Sequence, residues 1–136
     1  ATGAIAQGVL VAQELGVPFI YVRASAKGHG RQNLIEGKVE SGQSVVVIED
    51  LISSGKSSLA TVDTLRDAGV DVKGMGAIFT YGFETATQNF KNADCELFTL
   101  GDYDSLIEQA LAARYISQNN VSLLKDWRKD PANWKK

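Results

Sequence analysis

Apolar positions recur along the chain with two periods that alternate. Ile5, Ala6, Val9, Leu10 and Ala12 follow the helical repeat, Gly16 is placed to end that helix, and Pro18 forbids its continuation. Phe19-Ile20-Tyr21-Val22 is then a short β-rich run that ends at Arg23. Residues 24–44 hold no sustained period and are punctuated by Gly28, Gly30, Gly37 and Gly42. That pattern predicts a long loop, with Leu34–Val39 suited to a small hairpin at its base. Four consecutive apolar residues, Val45-Val46-Val47-Ile48, read as a strand buried on both faces. A helical pattern through Leu59, Val62 and Leu65 follows and is closed by Gly69. Val72 to Tyr81 predicts a further strand, Glu84 to Phe90 a short helix, and Glu96 to Leu100 another strand. Asp102 is expected to N-cap a helix carrying Leu106, Ile107, Ala110 and Leu111, and Val121 to Trp127 forms a last helix.

Strands alternating with helices predict an α/β domain, a Rossmann-like parallel sheet with helices on both faces and right-handed crossovers. With 136 residues and neither internal repeats nor a linker, one domain over 1–136 is expected. The chain opens Ala1-Thr2-Gly3-Ala4-Ile5, without methionine, and enters an amphipathic helix almost at once. The expectation is a domain lacking its N-terminal part, which would supply the first strand of a βαβ unit. Ligands of such sheets bind beyond the C-terminal strand ends. Arg23, Asp50 and Tyr81 fall at those ends, so the loops that follow them should face one cleft.

Charge alters the picture locally rather than globally. Fourteen basic and 16 acidic residues leave a net charge of -2, which gives no general reason to expect nucleic acid or an acidic membrane surface as partner. The single cysteine, Cys95, reads as a packing residue, and no apolar run reaches the length of a signal or transmembrane segment. A cytoplasmic enzyme fits these features. Within the long loop, Arg23, Lys27, His29 and Arg31 cluster, and no acid occurs from Tyr21 to Ile35. A glycine-hinged cationic loop of this kind can close over a polyanion and exclude water.

The candidate chemistry concentrates where the central strand meets its helix, at Glu49-Asp50-Leu51-Ile52-Ser53-Ser54-Gly55-Lys56-Ser57. A helix N-terminus entered through serines and a glycine is a ready anion site. The two acids would repel a phosphate and are better suited to ribose hydroxyls or to a metal ion. Gly55-Lys56-Ser57 matches the end of a Walker A loop, but Asp50 stands where that motif needs its first glycine.

The stretch Glu49–Ser57 resembles the phosphoribosyl-pyrophosphate (PRPP) motif of type I phosphoribosyltransferases. Together with Tyr21-Val22-Arg23, Lys27-Gly28-His29-Gly30, Asn33–Gly37, Ile78–Phe83 and Trp127–Pro131, it resembles orotate phosphoribosyltransferase across nearly the whole chain. The resemblance implies the type I phosphoribosyltransferase fold and transfer of phosphoribosyl from PRPP to orotate, giving orotidine 5′-phosphate and pyrophosphate in pyrimidine biosynthesis. Mg2+ would be the cofactor, held mainly through PRPP and water rather than by a dedicated protein ligand. A homodimer is implied, in which the basic loop completes the neighbouring site, so that Arg23, Lys27 and His29 act partly in trans. By the same resemblance Lys27, His29 and Asp50 are catalytic. Arg23, Lys27, His29, Glu49, Asp50, Leu51, Ile52, Ser53, Ser54, Gly55, Lys56 and Ser57 bind PRPP, and Ser53 also contacts orotate. Some members carry a second lysine directly after the arginine, where this chain has Ala24. Two other readings share the cradle: a PRPP-binding regulatory protein of the same fold, and a phosphoribosyltransferase for another base.

Overall fold

The computed structural model describes residues 1–25 and 34–134. Its centre is a parallel three-stranded sheet built from β3 (Ser44–Ile52), β4 (Asp71–Thr80) and β5 (Leu97–Asp102), with β4 in the middle. The β-branched run Val45–Ile48 drives β3, yet the strand continues through Glu49, Asp50 and Leu51. Glu49 and Leu51 still pair with Ala77 and Phe79 of β4, so the two acids belong to the strand rather than to the loop after it.

Between the strands run α2 (Lys56–Asp67) and α3 (Glu84–Asn92). Their Leu59, Val62, Leu65, Ala86 and Phe90 pack with Val47, Met75 and Ala77 in the main core. Parallel strands need such crossovers, and burial of one helix face against the sheet supplies most of the stability of both. A smaller cluster joins α4 (Tyr103–Ala112) and α5 (Gln118–Lys129) through Tyr103, Ile107 and Val121 to Phe79 and Tyr81 at the end of β4. Asp102 caps α4 as expected, its carboxylate accepting from Ser105 N–H at 2.8 Å. The first helix, α1 (Ile5–Leu15), ends at Gly16 in the left-handed conformation and packs beside β3.

Three expectations give way. The strand expected over Phe19–Val22 shrinks to β1 (Tyr21–Val22), which does not join the parallel sheet. It pairs antiparallel with β2 (Ile35–Glu36), and this ribbon replaces the hairpin expected within Leu34–Val39. The ribbon forms because the two ends of the long loop meet there: Arg23 N–H donates to Leu34 O at 2.8 Å, and the Arg23 guanidinium reaches Glu36 at 3.3 Å. Nor is β3 buried on both faces. Val47 and Glu49 are buried, but Val46, on the face it shares with Ile78, Phe98 and Leu100, is 60% exposed, because the helices that build the main core cover chiefly the other side.

This asymmetry separates core from surface in a measurable way. Met75→Ala, at a residue only 2% exposed, should cost about 2–5 kcal/mol in chemical denaturation. Leu100→Thr, at a residue 75% exposed on the open face, should change stability by less than about 0.5 kcal/mol. Similar losses for the two variants would contradict the one-sided core.

Candidate functional site

At the C-terminal end of β3 the chain turns through Ser53, Ser54 and Gly55 and enters α2. Gly55 has φ +78°, and a Cβ there would stand 2.7 Å from the Phe90 ring, so glycine is required both by backbone conformation and by space. Asn89 steadies the turn by donating to Ser54 O at 2.9 Å. No side chain caps α2, and only a long 3.5 Å contact links Lys56 N–H to Ser54 Oγ. The first turn therefore presents open N–H donors beside serine hydroxyls, which suits an anion.

On the other side of the same strand end lies a cavity of about 380 Å³. Glu49, Asp50, Arg23, Ser57, Thr61 and Thr64 are among its lining residues. Glu49 is almost completely buried, yet its carboxylate is satisfied: Ser58 Oγ donates to it at 2.9 Å and Asp50 N–H at 3.2 Å. Burial pushes the Glu49 carboxyl above the usual carboxylate range, and the Asp50 side chain adds to that push, while the two hydrogen bonds pull the other way. Asp50 is less enclosed, and its Oδ1 accepts from Leu51 N–H at 2.8 Å. The cavity thus joins a protected acid, a more accessible acid, a guanidinium and hydroxyls. Such a set can hold a polyol through the acids and an anionic group through Arg23.

Comparison with known proteins shows what the chain is similar to. No family model matches the chain. It is 56% identical over 134 residues to the orotate phosphoribosyltransferase of Porphyromonas gingivalis, an alignment that covers 98% of this chain and 64% of that protein. The chain is homologous to the orotate phosphoribosyltransferases. It spans less than two thirds of the length of the curated relatives it matches. Among solved structures, the orotate phosphoribosyltransferase of Aeropyrum pernix superposes with a TM-score of 0.68 at 25% identity, over 80% of this chain and 59% of that one. The Mycobacterium tuberculosis orotate phosphoribosyltransferase in complex with PRPP superposes with a TM-score of 0.55 at 26% identity, over 66% and 53%. The fold is that of the type I phosphoribosyltransferases.

Against the orotate phosphoribosyltransferase pattern, the expected residues separate into groups. Glu49, Asp50, Leu51, Ser57 and Arg23 line the first cavity. Ser53 and Ser54 line a second one of about 610 Å³, and Gly55 and Lys56 form the turn and the start of the helix. The side chain of Ile52 is wholly buried and its carbonyl accepts from Tyr81 N–H and Thr80 Oγ1, so it serves the core and the sheet. Lys27, His29 and Arg31 lie outside the described residues. Three hydroxyl residues escaped the sequence reading. Ser58 supports Glu49 from nine positions away, which no local pattern reveals. Thr61 and Thr64 stand four and seven residues after Ser57 and form a hydroxyl stripe at helical spacing, a legible signal beside the apolar stripe of Leu59, Val62 and Leu65. Among the described residues no group of three or more His, Cys, Asp or Glu side chains gathers as a metal site, and no helix is long and apolar enough to cross a membrane.

The raised Glu49 carboxyl sets a pH dependence. Folded Glu49 keeps its proton at a pH where the unfolded chain has lost it, so this group lowers stability as pH rises from the ordinary carboxylate value through the raised one. Glu49→Gln removes the titration. The melting temperature of the variant relative to the parent should therefore rise as pH climbs above the ordinary carboxylate range. A difference that stays flat with pH would mean that Glu49 titrates as an ordinary carboxylate.

Proposed function

We propose that the chain carries the PRPP-handling part of an orotate phosphoribosyltransferase, which transfers phosphoribosyl from PRPP to orotate with release of pyrophosphate. The observation that carries this reading is the junction of β3 and α2, where an acid pair and an uncapped helix N-terminus flank one turn. Its support from kinship is the similarity to proteins named for this reaction and to one solved with PRPP.

The chemistry follows from where charge develops. As pyrophosphate departs, positive charge grows on the ribose ring and negative charge on the leaving oxygens. The start of α2, with the hydroxyls of Ser54 and Ser57, holds a phosphate of PRPP. Asp50 accepts hydrogen bonds from the ribose hydroxyls and offsets the ring cation, and Glu49, fixed by Ser58, backs it. Leu51 and Ser53 line the ligand, while Ile52 contributes by anchoring the strand end. Arg23, Lys27 and His29 stabilise the leaving pyrophosphate. No covalent intermediate is needed.

Glu49 and Asp50 are hard oxygen donors that fit Mg2+, but two carboxylates fall short of an all-protein cage. The metal would be held chiefly by PRPP oxygens and water, with the acid pair as its protein side. When bound it supplies neutralisation of the leaving diphosphate. The functional unit is a homodimer in which residues 24–44 complete the neighbouring site, a reading supported by the cluster of Arg23, Lys27, His29 and Arg31.

Asp50→Asn keeps shape and removes charge. In the complete protein, kcat/KM for PRPP should fall at least tenfold, about 1.4 kcal/mol of transition-state stabilisation. A change within about twofold, ~0.4 kcal/mol, would remove Asp50 from the mechanism. In the same assay orotate should be used in preference to uracil, hypoxanthine and guanine, and equal turnover of any of these would overturn the choice of base.

Lys27→Ala and Asp50→Ala, each nearly inactive alone, should complement when mixed. Subunit exchange creates heterodimers with one intact site, so a statistical mixture should regain about a quarter of the parent rate. Exchange proven by an independent label without any recovery would show that the loop serves its own subunit.

A further inference from the structure

The first turn of the chain meets the acid pair at a contact that leaves room for a hydrogen and nothing larger. Thr2–Ala4 form one 3-10 turn that runs directly into α1. Gly3 sits in that turn, and a Cβ built on it would stand 2.8 Å from Oδ2 of Asp50, 2.9 Å from Oδ1 and 3.0 Å from Cγ. So similar a distance to all three atoms puts the face of the carboxylate, rather than one oxygen, against the glycine. A carboxylate accepts hydrogen bonds in its own plane, so contact with its face uses up no acceptor site. Leu51 N–H still reaches Oδ1 at 2.8 Å, and Asp50 and Gly3 both line the first cavity.

Backbone conformation does not ask for a glycine here. Gly3 is not among the glycines with positive φ, and helical backbone favours alanine over glycine. Gly55 differs, since its φ of +78° calls for glycine whatever surrounds it. The turn also has no freedom to withdraw from Asp50. Thr2 Oγ1 donates to Val22 O at 3.0 Å at the end of β1, the Ala1 amino group donates to Ile48 O at 3.0 Å on β3, and Ala4 is only 1% exposed. An added methyl would therefore be accommodated by the carboxylate, which is the end of a short side chain, and not by the backbone. Asp50 would turn aside and give up its bond from Leu51 N–H.

We infer that Gly3 is a positioning residue for Asp50: the space it leaves open sets the direction in which the carboxylate faces the cavity. This role rests on the proposed handling of PRPP, in which Asp50 accepts from the ribose hydroxyls, and it adds a control on that carboxylate from a different element. The acid pair is then held from two sides. Ser58 on α2 fixes Glu49, and the turn before α1 fixes Asp50. Such support matters because a group that acts on a ligand must be kept close to its productive geometry.

The test is a double-mutant cycle in the complete protein: parent, Gly3→Ala, Asp50→Ala and the pair together, with calorimetric PRPP binding, melting temperature and transfer to orotate measured on each. Asp50→Ala should weaken PRPP binding about tenfold and Gly3→Ala at least about fivefold, with kcat lowered as well, because a carboxylate turned aside also fails to offset the ring cation. The pair should match Asp50→Ala within about twofold, since the methyl then has no carboxylate to displace. Gly3→Ala should melt no lower than the parent. The positioning role is overturned if Gly3→Ala binds PRPP within about twofold of the parent, or if the methyl lowers the melting temperature equally with and without the Asp50 side chain. It is also overturned if the pair is weaker than Asp50→Ala by the factor that separates Gly3→Ala from the parent, which would mean that Gly3 meets the ligand directly. Should Gly3→Ala fail to fold, the pair decides: folding restored by removal of the Asp50 side chain supports the contact, and a second failure overturns it. A parent that does not bind PRPP overturns both the role and the reading beneath it. A parent that binds PRPP with the expected non-additive pattern, yet transfers nothing to orotate, overturns the proposed reaction alone.

Discussion

The site depends on how β3 is forced to stop. Ile52, its last residue, is completely enclosed in the core, and its carbonyl is tied to Tyr81 N–H and Thr80 Oγ1. Four residues later α2 has begun, so the chain has only Ser53, Ser54 and Gly55 in which to reverse. Gly55 accomplishes this in a left-handed conformation pressed against Phe90, and Asn89 holds the preceding carbonyl. With both ends of the turn locked into packed elements, the acids on the strand and the open N–H groups of the helix keep a set separation. Rigid support of this kind is what lets a short loop act as a binding element.

How much of this was legible follows from what hydrophobic periodicity can register. The repeat over Ile5–Ala12, ended by Gly16, marks α1 because the helix buries one stripe, and the cap at Asp102 is legible because a capping carboxylate acts within three residues. The acid pair was legible as chemistry but displaced in structure. Glu49 and Asp50 interrupt the apolar run, which suggests that the strand has ended, whereas ladder pairing to β4 continues because backbone hydrogen bonds are indifferent to side-chain charge. The run Val45–Ile48 suggested cover on both faces, since an apolar residue looks the same whether or not a neighbouring element reaches it. Ser58 and Arg128 could not be assigned from pattern alone: one acts on Glu49 across a turn, and the other meets Gly82 from a helix 46 positions away. Similarity in sequence supplied the motif Trp127–Pro131, but only packing in space gave it a neighbour in Ser53.

The electrostatics on the two sides of the turn differ in kind. On the first side a nearly buried acid, kept by Ser58 and resistant to ionisation, stands next to a more accessible one. Two adjacent carboxyls with unequal surroundings suit different roles, the more accessible one facing a ligand and the buried one shaping its field. On the second side direction replaces magnitude, with a guanidinium held by Asp104, Gly82 O and the face of Tyr103. That guanidinium is tied to the aromatic cluster of Tyr81, Tyr103 and Trp127, so the end of α5 packs against the strand end of β4.

The place of β3 in the sheet has a dynamic consequence. β4 is bonded on both sides, whereas β3 has a ladder to β4 alone among the described strands, and on its outer side the Ala1 amino group donates to Ile48 O. Amide hydrogens of β4 that point into either ladder exchange with solvent only when the core opens, while the outward amides of β3 exchange through smaller excursions. Within the span 1–136, the strand that carries Glu49 and Asp50 therefore breathes on a faster clock than the strand beside it. Occupancy of the cavity against those acids would be registered first as slowed exchange along β3, well before any change in the protection of β4.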